Sequence, residues 1–258
     1  MEKIDILKNG YKIIQDTERF QFGIDAVLLA DFASKAIKGG DSIIDLGTGT
    51  GIIPLLMDGK LNKDIEKGAP PHLPVKFVGL EIQKASADMA ARSVALNNLN
   101  ERINIKNGDL KNIADSKIFK RHSFSAVTCN PPYMIDSHGK SNALDALTIA
   151  RHEVLCTLED VIAAADYLLE THGKFFLIHR PFRLTEIFES LFRHKMEPKR
   201  LRLIYPFLDK EPNMVLIEAR KNANPRLNIE PPLIVRDNAG QNAGQYTKEI
   251  RKIYGEDL

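Results

Sequence analysis

An apolar run that breaks into alternating glycines constrains this chain more than any other stretch. Ser42-Ile43-Ile44-Asp45-Leu46 has the β-branched content of a buried strand, Gly47-Thr48-Gly49-Thr50-Gly51 is a turn, and Ile52-Ile53-Pro54-Leu55-Leu56 resumes with helical spacing. A strand, a glycine turn and a helix in that order open a parallel sheet covered by helices. Glycine lets backbone approach a ligand closely, and the amides at the helix start are left to meet it. The spacing is G-x-G-x-G where a dinucleotide fingerprint needs G-x-G-x-x-G, and Asp45 stands directly ahead of the turn. That carboxylate would serve a pyrophosphate poorly and a positively charged ligand well.

Three further strands end in polar residues. Val75-Lys76-Phe77-Val78-Gly79-Leu80 runs into Glu81 and Ile82, where the acid can accept hydrogen bonds from both hydroxyls of a ribose. Asp45 and Glu81 are further apart than the roughly 20 residues of the dinucleotide pattern, and the glycines, prolines and charges of residues 58–74 predict an enlarged loop as the cause. Residues 103–109 end in Gly108-Asp109, a carboxylate placed for an adenine amino group. Phe124-Ser125-Ala126-Val127-Thr128-Cys129 then runs into Asn130-Pro131-Pro132-Tyr133. This last motif suits a planar amine, a poor nucleophile that must be held. The Asn130 side-chain carbonyl and the Pro131 backbone carbonyl can accept its two hydrogens, two prolines stiffen the turn, and Tyr133 offers a flat face.

The remaining pattern predicts an α/β doubly wound sheet of seven strands, mainly parallel, with an antiparallel edge hairpin at its C-terminal end. Residues 4–15 read as a hairpin with a type I′ turn at Asn9-Gly10. Helices are expected over 84–99, 158–170 and 184–194, and strands over 174–179, 200–205 and 214–220, the last two paired as the hairpin. Residues 1–40 are expected as an N-terminal hairpin and helix flap, 41–221 as the main domain, and 222–258 as a tail, with Pro231 to Val235, a polar turn through Gly244 and a short helix over 246–254, that packs back on the domain.

At 258 residues, 43% apolar and 27% charged, the chain has ordinary globular usage. It has no apolar run long enough to cross a membrane, and Met1-Glu2-Lys3-Ile4-Asp5 is charged where a signal peptide would be apolar, so the expected location is cytoplasmic with no membrane partner. Cys129 and Cys156, the latter placed in a helix, are expected as core thiols, and the seven histidines lack metal spacing. A net charge of +2 does not imply nucleic acid by itself, although cations gather at 119–122 and 193–202.

The aspartate and glycines of 45–51, the acid at 81, Gly108-Asp109 and Asn130-Pro131-Pro132-Tyr133 together resemble class I S-adenosylmethionine-dependent methyltransferases with a Rossmann-like sheet, in the branch that methylates amino nitrogens. Over nearly the whole chain, Phe20-Gln21-Phe22-Gly23-Ile24-Asp25, Ala150-Arg151-His152-Glu153 and Glu211-Pro212-Asn213-Met214 resemble the bacterial tRNA(Val) adenine-N6 methyltransferase family. The resemblance implies S-adenosylmethionine held by Phe22, Gly23, Asp25, Asp45, Gly47, Thr48, Gly49, Gly51, Glu81, Ile82, Asp109 and Asn130, with the first three closing over its methionine end. Asn130, Pro131, Pro132 and Tyr133 carry the chemistry. Tyr133, His138, Lys140, Arg151 and His152 meet an RNA substrate, a tRNA anticodon loop whose splayed bases avoid the unpairing a duplex demands. The protein is expected as a monomer or homodimer without metal. Competing readings are a protein glutamine-N5 methyltransferase, which usually carries an N-terminal helical domain, an rRNA guanine-N2 methyltransferase, which commonly shows NPPF and a duplicated domain, and a non-catalytic RNA-binding module, which would have eroded a cofactor motif.

Overall fold

The chain begins with a small hairpin, β1 (Glu2–Ile6) and β2 (Lys12–Asp16), followed by helix α1 (Ile24–Ser34). The alternating part comprises β3 (Ser42–Leu46), α2 (Ile52–Leu61), β4 (Lys76–Glu81), α3 (Lys84–Leu96), β5 (Ile103–Asn107) and β6 (Phe124–Cys129). It continues with α4 (Leu158–Leu168), β7 (Leu169–His179), α5 (Leu184–Arg193), β8 (Met196–Tyr205) and β9 (Met214–Lys221). Two short strands, β10 (Asn228–Ile229) and β11 (Leu233–Ile234), and α6 (Lys248–Ile253) complete it. The computed structural model describes residues 1–17, 22–62, 73–131, 156–238 and 244–256.

The main sheet has the order β10-β8-β9-β7-β6-β3-β4-β5. β3 to β7 pair in parallel, while β9 runs antiparallel between β7 and β8. The seven-stranded, mainly parallel sheet expected from the sequence is therefore present, with its antiparallel strands towards one edge. The tail adds to it: β10 and β11 lie parallel along the outside of β8, so the expected hairpin is not the last element at that edge. Covering β8 hides backbone groups that would otherwise template another strand.

Side chains alternate between two faces of the sheet, and each face has its own core. Ile43, Phe77, Ile103, Ala126 and Phe176 pack with the hairpin, α1, α2 and the tail residues Leu233, Val235, Ile250 and Ile253. Ile44, Leu80, Val127, Phe175 and Leu177 pack on the other side with α4 and α5. A buried side chain of this size contributes about 1.5–3 kcal/mol, so the fully buried Phe175 and Phe176 on opposite faces are among the larger single contributions. Helix α2 tolerates Pro54 because the residue lies in the first turn, where no backbone N–H is required. Thr157 and Asp160 form a capping box at the start of α4, which leaves Cys156 ahead of the helix rather than in it. Cys129 is buried as expected, whereas Cys156 is half-buried.

Two local expectations are corrected. The hairpin turn is not type I′: the Gly10 amide donates to the Leu7 carbonyl, so Lys8 and Asn9 are the central residues, and Gly10 alone has positive φ, at 89°. Asn9 is held by its own side chain, whose Oδ1 accepts from the Tyr11 amide and whose Nδ2 donates to the Leu55 carbonyl. The loop expected from residue 58 also starts later, because α2 continues to Leu61. Asp58 is fully buried, accepting from the Tyr11 hydroxyl at 2.9 Å, Asn62 Nδ2 at 2.6 Å and Arg102 Nε at 2.9 Å. A charge that looked like loop polarity in the sequence thus ties hairpin, helix and sheet together.

Removing one partner of a buried ion pair typically costs about 3–5 kcal/mol. Because Arg102 retains partial solvent contact at 18% exposure, Arg102→Ala is expected at the lower end of that range, with a reduced urea midpoint and an unchanged slope. A midpoint within error of wild type would contradict this account of Asp58.

Candidate active site

The direction of the chain across the sheet reverses between β3 and β6. From β3 it winds through β4 and β5 on one side, and from β6 through β7 on the other. Such a switch point leaves a crevice at the carboxyl ends of the strands. Register aligns the motifs along that edge: Leu46 is paired with Cys129 on one side and Leu80 on the other, and Glu81 is paired with Asn107. Gly47 therefore follows directly between the strand ends that carry Asn130 and Glu81, each about 4.8 Å away in strand spacing.

Gly47, Gly49 and Gly51 take positive φ angles of 68°, 56° and 84°, a region that side chains disfavour. Among the described residues, a Cβ on Gly47 or Gly49 would meet nothing within 4 Å, so the loop borders open space there, whereas at Gly51 it would press on Ala90 of α3 at 3.3 Å. The loop is bound to the next strand by Gly47 and Thr48 amides donating to the Leu80 carbonyl at 2.9 and 3.0 Å. That approach depends on Gly79, where a Cβ would lie 2.7 Å from Thr48 Cγ2 and 2.8 Å from Ile105 Cδ1. Gly79 was not among the candidate residues, although a glycine inside a strand signals a close approach.

Glu81 is buried, and its carboxylate is fixed at both ends. Oε2 accepts from the Gly49 amide at 2.9 Å and Oε1 from the Gln83 amide at 2.8 Å. A carboxylate has about four acceptor positions, so these two bonds orient it without exhausting it. Ile82 follows, 38% exposed at the rim. Asp109 begins the short 3-10 turn at Leu110–Asn112, with Oδ1 accepting from the Lys111 amide at 2.9 Å.

Asp45 is almost completely buried and faces Thr128 across the switch point. Thr128 Oγ1 donates to Asp45 Oδ1 at 2.7 Å, while Asp45 Oδ2 and Thr48 Oγ1 are buried and, among the described residues, without a partner at full hydrogen-bond geometry. Burial pushes the Asp45 carboxyl from its ordinary 3.8 up to about 7, a rise that the neighbouring Thr128 and Thr48 hydroxyls offset only in part. A nearby positive charge would relieve this strain. The orphaned oxygens and the open space at Gly47 and Gly49 together fit a ligand that brings an ammonium group against a glycine cradle.

Asn130 follows β6, and Pro131 beyond it is buried. Asn130 Nδ2 donates to Asp25 Oδ2 at 3.0 Å, and Asp25 Oδ1 accepts from the Ala26 amide at 2.9 Å. Gly23 is the N-cap of α1, and the half-buried Phe22 precedes it, its amide donating to Gln15 Oε1 at 3.4 Å. The N-terminal segment is thereby tied directly to the motif after β6. Pro132, Tyr133, His138, Lys140, Arg151 and His152 lie outside the described residues.

At the end of neighbouring β7, His179 is buried and accepts the Arg180 amide hydrogen at Nδ1, 2.8 Å away. Burial pushes its pKa down to about 4, which keeps the ring neutral near neutral pH. Part of the cation cluster at 193–202 is paired with acids: Arg193 with Glu159, Arg200 with Glu218 and Glu230, and Arg202 with Glu249, while Arg193 and Lys195 remain exposed. Lys120 and Arg121 are exposed. Among the described residues, no group of three or more His, Cys, Asp or Glu side chains could hold a metal, and no helix is long and apolar enough to cross a membrane.

The fold is that of class I S-adenosylmethionine-dependent methyltransferases. The chain is 27% identical over 237 residues, 90% of its length, to the tRNA1(Val) (adenine(37)-N6)-methyltransferase of Porphyromonas gingivalis, covering 88% of that protein. It is 29% identical over 171 residues to the protein of the same name from Bacteroides thetaiotaomicron, covering 65% of this chain and 63% of that one. The resemblance carried by the motifs is borne out by these relatives. No protein-family model matches the chain. Among solved structures, a predicted O-methyltransferase from Agrobacterium tumefaciens superimposes with a TM-score of 0.68 at 22% identity, covering 90% of this chain and 95% of that one. TYW2 of P. horikoshii, solved with MeSAdo, gives 0.57 at 14% identity over 86% of this chain and 72% of that one.

Asp45 also yields a pH dependence. Its folded value of about 7 lies above the ordinary 3.8, so the unfolded chain ionises first. The stability it contributes is complete below that lower value and is lost as pH rises through the higher one. In Asp45→Asn, which cannot ionise, the stability advantage over wild type should grow between pH 4 and 7 and level off above, measured by urea unfolding across that range. A pH-independent difference would show that Asp45 ionises normally in the folded protein.

Proposed function

We propose that this chain transfers a methyl group to the exocyclic N6 amine of an adenine in the anticodon loop of a tRNA. The observation that carries the reading is the placement of Asn130 beside the glycine loop, one strand spacing away across the switch point. The names of the relatives from Porphyromonas gingivalis and Bacteroides thetaiotaomicron support the choice of acceptor.

In this reading, Phe22, Gly23 and Asp25 close over the methionine end of S-adenosylmethionine, Asp45 faces its charged amino group, and the loop from Gly47 through Thr48 and Gly49 to Gly51 cradles it. Glu81 accepts from the ribose hydroxyls, and Ile82 and Asp109 border the adenine. The bound cofactor supplies a methyl group activated by its sulfonium. Asn130 Oδ1 and the Pro131 carbonyl accept the two hydrogens of the acceptor amine and set its approach. The same carbonyls stabilise the positive charge that develops on nitrogen, so water can take the proton and no strong base is required. Tyr133 supplies a stacking face, and His138, Lys140, Arg151 and His152 hold the RNA. We assign residues 1–40 to the closing segment, 41–221 to the catalytic domain and 222–258 to the packed tail. A tRNA substrate supports a cytoplasmic location.

Mass spectrometry of tRNA nucleosides from cells with and without the protein should show loss of N6-methyladenosine in its absence. An unchanged tRNA profile with altered rRNA or protein methylation would defeat the substrate assignment. With purified protein, Asn130→Ala should lower turnover by on the order of 10²-fold or more while cofactor affinity is nearly retained. Weakened cofactor binding with normal turnover at saturation would contradict the role given to Asn130.

A further inference from the structure

We infer that Asp25 is the positioning residue for Asn130, locking its side-chain amide in the orientation that presents Oδ1 to an acceptor amine. The inference rests on the methyl-transfer reading of the site but adds a role that sequence similarity does not assign. An asparagine amide has two nearly isosteric orientations, and only one of them places the carbonyl where it can accept an N–H. Here Nδ2 donates to Asp25 Oδ2 at 3.0 Å. A carboxylate is acceptor-only, so it selects the Nδ2 end and directs Oδ1 to the other side. The bond also polarises the amide, because donation to a charged acceptor is stronger than donation to a neutral one and increases the negative character of Oδ1.

The lock is itself held in place. Asp25 Oδ1 accepts from the Ala26 amide at 2.9 Å in the first turn of α1, a helix whose buried face lies in the core. The carboxylate therefore cannot rotate without giving up a helix-start hydrogen bond. It also lies back against Gly23, where an added Cβ would come within 2.7 Å of Asp25 Oδ1. Gly23 has φ −99°, an ordinary value for any residue, so what requires glycine there is the space taken by this carboxylate. Gly23, Asp25 and Asn130 thus form one chain of contacts that joins residues 105 positions apart in sequence.

In ¹⁵N-labelled wild-type protein, the Asn130 side-chain amide should carry one shifted, exchange-protected proton. Asp25→Ala should lose that signature, and Gly23→Ala, in which the carboxylate is displaced, should weaken it. In methyl transfer, Asp25→Ala should lower kcat, measured at saturating cofactor, by on the order of 10²-fold, over and above any loss of cofactor affinity from the closing segment. In an Asn130→Ala background it should cost no more than about a further twofold, because the two residues act as a unit. An unmoved Asn130 resonance in Asp25→Ala, or losses that multiply across the two backgrounds, would overturn the inference. So would weakened cofactor binding with retained kcat, which would make Asp25 a cofactor ligand only. If wild-type protein leaves tRNA unmethylated but the resonance moves, the substrate reading fails and the lock stands. If tRNA is methylated and the resonance stays, the lock fails and the substrate reading stands.

Discussion

The parallel pairing of β3 with β6 is the constraint on which the rest of the site depends. These strands are far apart in sequence, and they meet where the sheet changes its winding direction. Their register brings the glycine loop and Asn130 to adjacent strand ends, and the Thr128 hydroxyl clips Asp45 across the same boundary. A slip of one residue would turn every side chain of β6 to the opposite face. The two-faced core forbids that slip, because Ala126 and Val127 belong to opposite hydrophobic layers. Packing on both faces of the sheet is thus what aligns the glycine loop and Asn130 at its edge.

Buried carboxylates separate scaffold from site. Asp58 is met by Arg102, and Glu218 by both Arg200 and Arg220, so each has a guanidinium within hydrogen-bonding distance. Asp45 is equally buried, but among the described residues it has the Thr128 and Thr48 hydroxyls beside it and no cation. Burying a carboxylate without a counter-ion is costly, and pKa values perturbed in this way gather at functional sites. The missing positive charge is the one that an amino-acid-bearing cofactor would bring. A cation bound beside the buried Asp45 carboxyl would therefore couple binding to stability.

The ends of the chain help to hold this edge together. The hairpin docks on α3 through the Ile14 amide to Ser93 Oγ at 2.9 Å and the Lys12 amide to Asn97 Oδ1 at 2.8 Å. It leads into α1, whose start carries Asp25 to Asn130. At the other end, Ile250 and Ile253 of the tail helix join the same core layer as α1. An element that reads as peripheral in the sequence thus takes part in orienting the candidate catalytic amide.

Much of this was legible from residue order alone. The apolar runs ending in Asp45-Leu46, Glu81 and Cys129 marked the strands with their polar termini, because a buried parallel strand needs a continuous apolar segment and a ligand site needs polar groups where that segment stops. Local spacing could not reveal Asp58 as a buried ion-pair partner, the Asp25–Asn130 bond or the tail strands on β8, since each depends on groups far apart in sequence meeting in space. The turn at Asn9-Gly10 looked like type I′ from its dipeptide, but the Asn9 side chain had a better partner in the Leu55 carbonyl of α2. Sequence by itself determined which residue types stand at the strand ends, because periodicity and glycine content are local properties. Only the tertiary structure decided which of those residues touch, because register and burial are settled by how the layers pack against each other.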